Sequence, residues 1–377
     1  MEKKIKIVLI VEAVLGGIRQ HVLDIVKNLN KTKFDVYLVY SDLRADDLFF
    51  QEKDDLIKNS INLIQCNEMK RELSISDYKA YRSISKILKE IKPDIVHCHS
   101  SKAGIVGRIA AKRCKVGKII YTPNAYAFQD PSLSRLKKKI YVLAEKFLSR
   151  HATNMTINVS KGEMELARQY KIDLETKFTL IYNGIPQIKL EEKNEIRKRL
   201  GLKTDEIYIG VTARCAGQKD PFTFLKIADG VIKQHHNVQF IYIGEGDLHK
   251  PMAEWIKQKG LADKIHLWGF REDAPFIVGL FDIYLSTALY EGMPYSVIEA
   301  MRAGVPIIAT DVVGNNEIVE DGKNGLLFKP GCVEMAVNNI LKQLCEGMIN
   351  RDNVIRTFQE KFSLDKMMEK YVGETIS

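Results

Sequence analysis

Apolar and polar positions along this chain form a repeating series of short apolar runs and longer stretches with helical spacing. Ile5–Val11 is apolar except for Lys6 and reads as a strand; Gly16-Gly17 then leads into an amphipathic stretch from about Ile18 to Leu29. Phe34–Tyr40, Asp94–His99, Lys118–Thr122 and Met155–Val159 continue the strand series, with a helix over Tyr78–Ile91. Tyr182-Asn183-Gly184-Ile185-Pro186 is a turn cluster that suits a linker. A second series follows at Ile207–Thr212, Gln239–Ile243, Ile265–Trp268, Ile283–Ser286, Pro306–Thr310 and Gly325–Phe328, with helices between. Such alternation predicts an α/β protein of two doubly wound domains, 1–186 and 187–355, facing a cleft at the carboxyl ends of both sheets. Asn353–Glu374 reads as a Lys-rich helix, and a C-terminal helix of about 356–377 can pack back on the first domain.

Composition narrows the classes. At 377 residues and 45% hydrophobic, the chain is long enough for two cores and ordinary for a water-soluble globular protein. No apolar run approaches the roughly 18 residues that span a bilayer, and Ile5–Leu15 is broken by Glu12 and lacks a cleavage site, so a cytoplasmic protein is expected. The six cysteines show no Cys-x-x-Cys spacing, which argues against a zinc site or disulfide framework and for reduced, mostly buried thiols. His97 and His99 flank Cys98, but on a strand the histidines share one face and the thiol points away. The net charge of +9 is uneven: residues 1–186 hold 33 Lys+Arg against 21 Asp+Glu, and 101–150 alone hold 12 against two. Such a field attracts anionic lipid or a pyrophosphate-bearing acceptor. No nucleic-acid-binding pattern accompanies it, and no nucleic-acid partner is expected.

Candidate chemistry concentrates in Glu291-Gly-Met-Pro-Tyr-Ser-Val-Ile-Glu299 and the Ala-Met-Arg-Ala-Gly304-Val-Pro306 that follows. Pro294 suits the first turn of a helix and Gly304 its left-handed stop, which puts Glu299 on the helix and Glu291 on the loop feeding it. Unpaired amides at a helix start favour phosphate, and carboxylates beside it can accept hydrogen bonds from sugar hydroxyls. Two isolated surface glutamates would carry no such meaning. Further candidates lie at other strand ends: Gly16-Gly17, where the backbone can approach a diphosphate; Arg214 and Lys219, cations suited to neutralising one; Gly244 in Gly244-Glu-Gly-Asp247; Arg271 in Gly269-Phe-Arg-Glu-Asp273; and His99. Each of these alone fits an ordinary turn or a structural histidine as well. The Gly-x-Gly-x-x-Gly of dinucleotide folds is missing, against a nicotinamide-dependent oxidoreductase.

Taken together, these segments resemble a family-4 retaining glycosyltransferase of the GT-B fold, with its two Rossmann-like domains. The resemblance runs through Gly16-Gly17, Lys92-Pro-Asp-Ile-Val-His-Cys-His-Ser-Ser-Lys-Ala-Gly104, Ile181-Tyr-Asn-Gly-Ile185, Arg214…Lys219, Gly244-Glu-Gly246, Glu291…Glu299, Gly304-Val-Pro306, Gly314-Asn-Asn-Glu317 and Gly322-Lys-Asn-Gly325. The Glu-x7-Glu segment is its specific part. It implies a UDP-linked nucleotide-sugar donor, no metal cofactor, and a glycan or lipid-linked acceptor in bacterial surface polysaccharide synthesis. By position it implies Glu299 on the ribose, Glu291 on the donor sugar, and Arg214 and Lys219 on the diphosphate. Gly16 and Gly17 would meet that diphosphate from the first domain, and Met293, Pro294, Tyr295, Ser296, Val297 and Ile298 would line the helix start. The resemblance assigns His99 a place near the reacting centre and puts Lys102, Asn124 and Tyr126 on the acceptor side.

Two departures from the family pattern stand out. Relatives often carry Thr-x-His-Gly-Phe where this chain has Thr122-Pro-Asn124-Ala-Tyr126-Ala-Phe128, and an amide cannot titrate as an imidazole does. Arg19 stands near where relatives often have an acid. Leu133–Arg150 mixes apolar and cationic residues at helical spacing, which suits either a peripheral membrane helix or an amphipathic core helix. A nucleotide-sugar epimerase and a non-catalytic membrane-binding protein are the competing functional readings.

Overall fold

The computed structural model describes residues 3–70, 76–129 and 133–376. The chain divides into two units, one of Met1–Asn183 with Met367–Ser377 and the other Gly184–Lys366.

The first unit carries seven parallel strands: β1 (Ile5–Val11), β2 (Phe34–Tyr40), β3 (Ile61–Gln65), β4 (Ile95–His99), β5 (Lys118–Thr122), β6 (Met155–Asn158) and β7 (Phe178–Leu180). Their order is β3-β2-β1-β4-β5-β6-β7. Strands β1 and β4 are buried along most or all of their length, as parallel strands covered on both faces must be. The two strands that the apolar pattern does not predict, β3 and β7, are the two edges of the sheet, and most of their residues are only partly buried. An edge strand needs fewer apolar residues, so its pattern is weak.

The second unit has six parallel strands, β8 (Ile207–Thr212), β9 (Val238–Ile243), β10 (Ile265–Gly269), β11 (Ile283–Ser286), β12 (Ile307–Thr310) and β13 (Gly325–Phe328), in the order β10-β9-β8-β11-β12-β13. In both sheets the winding reverses once, between β1 and β4 and between β8 and β11. The loops after those strands diverge there, leaving room at the carboxyl edge for a ligand.

The C-terminal stretch expected as one helix forms two, Arg351–Lys361 and Leu364–Ile376. Ile185 causes the break: its amide donates to Phe362 O at 3.0 Å and its carbonyl accepts from Leu364 N at 2.9 Å. From Met367 onward the last helix belongs to the first unit, where Tyr371 Oη lies 2.9 Å from His97 Nδ1 and Lys118 Nζ donates to Glu374 O at 2.8 Å. Of the six free cysteines, Cys66, Cys98 and Cys215 are buried, Cys114 and Cys332 are partly accessible and Cys345 is exposed, so half the thiols are less buried than expected.

Candidate active site

In the second unit the reversal between β8 and β11 builds a charged site from residues distant in sequence. The β8 loop passes through Arg214 to a short turn, Gly217–Lys219, and the helix Pro221–Ile232 begins beyond it. Asp220 caps that helix from a left-handed conformation (φ +43°), its carboxylate accepting from Thr223 N at 3.3 Å and Thr223 Oγ1 at 2.6 Å. A short polar side chain tolerates that backbone better than most. The β11 loop then docks alongside. Leu289 N donates to Gln218 O at 2.8 Å, Gln218 Nε2 to Tyr290 O at 2.9 Å, and Thr287 Oγ1 contacts the carbonyls of Lys219 and Asp220 at 2.8 and 3.0 Å. These bonds bring Lys219 Nζ onto Glu291 Oε1 across 72 residues, in an ion pair largely shielded from solvent.

Neighbouring loops fix this pair in place. Gly314 has φ +90°, and a Cβ there would lie 2.8 Å from Glu291 Cβ, so only glycine lets the β12 loop pass behind the carboxylate. Gly244, expected at the donor, has a packing role as well: with φ +148°, its Cβ would fall 1.9 Å from Ala213 O. The β9 loop thereby lies against the β8 loop, and Cys215 N donates to Glu245 O at 2.9 Å. Tyr242 Oη holds Arg214 O at 3.1 Å. The Arg214 side chain is exposed and makes no hydrogen bond or ion pair among the described residues. It is positioned but uncommitted.

The helix after Glu291 spans Tyr295–Arg302, with Pro294 as its N-cap, one position earlier than the first-turn placement read from sequence. Val297 and Ile298 are buried core residues whose amides face Pro294 O at 3.2 and 3.3 Å; Met293 is buried too. Those side chains therefore shape the site from behind. Ser296 sits beside the Tyr284 hydroxyl, which donates to Thr212 O at 3.1 Å. Glu299 keeps part of its surface accessible, yet burial raises its carboxyl from the ordinary 4.5 to about 7, opposed by the Arg302 charge. No hydrogen bond reaches that carboxyl among the described residues. The carboxyl is thus half-buried, with its remaining surface open to an incoming group. Arg271 is less available: it forms a bidentate pair with Asp273 at 2.8 Å and lies over the Trp268 ring.

The first unit treats its reversal point differently. The helix Gly16–Asn28 follows β1, but Gly16 N donates to Asp46 Oδ2 at 3.0 Å and Arg19 Nε to the same oxygen at 3.1 Å. The Gly16 amide, expected at an open anion site, thus already faces a carboxylate. Strands β1 and β2 are neighbours, and the bridge between Val14 and Ala45 brings their loops together. Arg19 also reaches Glu52 at 3.2 Å, so it serves an internal ion-pair group.

His99 is fully buried, its ring 3.9 Å from His97 and 5.4 Å from His21 between centroids. His97 is held by Tyr371 and, at 2.8 Å, by Thr122 Oγ1; the rings of His21 and His99 find no hydrogen-bond partner in good geometry among the described residues. Burial pushes His21 from 6.5 down to about 4 and His97 and His99 well below the imidazole range. All three are neutral rings at physiological pH. Asn124 (φ +51°) lies beside His99 and so occupies a polar spot, with the following Ala125 amide pinned to Glu163 at 2.7 Å. Tyr126, expected on the acceptor side, is instead a core residue: it is buried and donates to Asn158 Oδ1 at 3.2 Å. Lys102 is buried likewise, 2.6 Å from Asp77.

Sequence reasoning missed Gln218, Thr287 and Asn315. Asn315 is fully buried and ties Ser286 of β11 to Thr310 of β12 at 3.3 and 3.1 Å. Its only signal was its place in the Gly314-Asn-Asn-Glu317 segment.

Two parallel α/β units, each sheet with one winding reversal and the second with a cation–carboxylate pair at that reversal, define the class of fold. Residues 15–187 match the model described as Glycosyltransferase Family 4, and residues 192–360 match Glycosyl transferases group 1. The chain belongs to the family-4 glycosyltransferases, and its fold is GT-B. It is 26% identical over 337 residues, 86% of this chain and 87% of the relative, to the Escherichia coli UDP-Gal:alpha-D-GlcNAc-diphosphoundecaprenol alpha-1,3-galactosyltransferase. It is 25% identical to a putative glycosyltransferase, EpsD, of Bacillus subtilis, over 77% of this chain and 79% of that one. Among solved structures, Anabaena Alr3699/HepE in complex with UDP and glucose superposes with a TM-score of 0.82 at 18% identity, covering 99% of both chains.

Proposed function

We propose that this chain transfers a sugar from a UDP-linked donor, with retention of anomeric configuration, to a glycan or lipid-linked acceptor in bacterial surface polysaccharide assembly. The observation that carries this reading is the Lys219–Glu291 contact at the reversal point of one sheet, with the raised Glu299 carboxyl on the helix that follows. The E. coli relative, whose name specifies a UDP-galactose donor and a diphosphoundecaprenol acceptor, supports the substrate classes. In this reading the second unit holds the donor and the first the acceptor.

Glu299 accepts hydrogen bonds from the ribose hydroxyls. Arg214 and Lys219 receive the diphosphate, Lys219 exchanging its bond to Glu291 for one to phosphate. Glu291, released, turns to the sugar hydroxyls. As the anomeric C–O bond breaks, its electron pair moves onto the diphosphate, and the two cations bound to it stabilise that charge. The acceptor oxygen bonds to the same face of the anomeric carbon and its proton passes to the departing phosphate oxygen. The neutral, buried His99 acts by shape and position rather than as a base. Lys219 and Arg214 supply the positive charge that a divalent cation supplies elsewhere, so no metal is required. The work is done at the inner face of the plasma membrane; no helix among the described residues is long and apolar enough to cross one.

The test is a transfer assay with a panel of UDP-sugars and a lipid-diphosphate-linked acceptor, with and without a chelator. Transfer that persists in chelator and disappears in Lys219→Ala and Glu299→Ala is expected. Full activity in both variants would overturn the site, and isomerised donor without transfer would favour the epimerase reading.

A further inference from the structure

The helix Arg135–Ala152 packs into the first unit through Val142, Glu145, Leu148, Ser149 and Ala152. Its opposite face is not the polar surface that such a helix ordinarily turns to water. Leu136, Ile140, Leu143 and Phe147 are 69, 53, 55 and 64% exposed. Their spacing of four, three and four residues stacks them within roughly 60° of the helix circumference, a continuous apolar stripe along three turns.

Cations border that stripe. Arg135, Lys137, Lys139 and Arg150 are exposed and Lys146 partly so. The helix has one acid, Glu145, and it is turned inward, where it pairs with the buried Arg108 at 2.8 Å and accepts from Tyr121 Oη at 3.0 Å. This buried pair fixes the rotation of the helix, and with it which face looks outward. The outward face is therefore apolar along its middle and purely cationic at its margins.

The charge pattern selects the occupant. A second copy docked on the same face would bring these cations against their own images. A bilayer containing anionic lipid offers both layers needed: acyl chains for the stripe and headgroup phosphates for the ammonium and guanidinium groups. We propose that the helix Arg135–Ala152 lies flat in the surface of an anionic membrane, with Leu136, Ile140, Leu143 and Phe147 in the acyl boundary and the flanking cations on headgroup phosphates. The proposal takes its purpose from the lipid-linked acceptor proposed above; its test does not depend on it.

The test is co-sedimentation of the full chain with vesicles of phosphatidylcholine alone and of phosphatidylcholine with phosphatidylglycerol. Binding is expected to the anionic vesicles and to weaken in high salt. Leu143→Ser with Phe147→Ser should weaken it by more than about tenfold, since membrane affinity scales with buried apolar area. Lys139→Gln with Lys146→Gln should weaken it on the order of tenfold, with less residual salt dependence. UDP binding by calorimetry and the far-ultraviolet circular dichroism spectrum should be unchanged in both variants. Absence of vesicle binding by the natural chain, or equal binding by the serine variant, would overturn the proposal. So would a dimer, seen by light scattering, that the serine variant abolishes. Vesicle binding without UDP binding would leave the docking face standing and defeat the donor site instead.

Discussion

The two units share a parallel sheet and a single winding reversal, yet fill the reversal point with opposite chemistry. The first unit neutralises what it gathers there: three histidines held uncharged and a helix amide satisfied by Asp46. The second leaves charge in waiting: an exposed Arg214, a lysine paired with the glutamate beside it, and Glu299 with no hydrogen bond to its carboxyl among the described residues. Topology supplies the place, but the loop residues decide whether it becomes a packed core or a charged site. A charged, unsatisfied group costs stability that only a ligand returns, so the second unit should gain most when donor binds.

The sharpest way to break this comparison is to remove its one committed cation. Lys219→Ala should lower the transfer rate by roughly 10²–10³-fold, the usual loss when a fixed group stabilising the developing charge is deleted. If His99→Ala costs more than Lys219→Ala in a transfer assay, the contrast between a packed and a charged reversal point is wrong.

Opposite pH signatures come next. The buried histidines are neutral in the folded protein and take protons in the unfolded chain near 6.5, so the unfolded state binds more protons as pH falls from 6.5 toward 4. Stability should therefore drop through that window, by about 1–3 kcal/mol for His21 alone. Urea melts at pH 5 and 7.5 check it, and His21→Gln should flatten the difference.

Glu299 has the reverse sign. Its folded carboxyl, at about 7, holds a proton that the unfolded chain releases near 4.5, so stability falls as pH rises between those values. Glu299→Gln should raise unfolding stability at pH 8 by about 1–3 kcal/mol, leave it nearly unchanged at pH 4, and abolish UDP binding in calorimetry. A purely structural glutamate would not combine gained stability with lost binding.

The smallest effect expected is that of Tyr371→Phe. It removes the hydroxyl on His97 Nδ1 and should cost about 1 kcal/mol of stability while leaving UDP binding unchanged, because Tyr371 belongs to the first unit.

Much of this molecule was legible in the chain. Strands of the sheet interiors announced themselves because burial on both faces demands apolar runs, as in 240–243 and 283–285. Edge strands β3 and β7 did not, their residues being mostly half-buried or exposed, although β10 and β13, the edges of the second sheet, did. The break at Phe362–Ser363 carries no proline or glycine and comes from Ile185, far away in sequence. Site residues followed the same rule. Arg214 and Lys219 were readable as charges at a strand end and Glu291 and Glu299 as acids around a helix start, whereas Tyr126 and Lys102 looked available until packing enclosed them.

Sequence alone determined the alternation of elements, the fold class and the residue types available for chemistry, since periodicity and composition are local properties. Only the tertiary structure decided which of those residues meet. Lys219 and Glu291 become partners because β8 and β11 are neighbours in the sheet, and burial, opposed by the Arg302 charge, raises the Glu299 carboxyl to about 7. Strand order and burial are long-range outcomes of packing, and no single stretch of chain contains them.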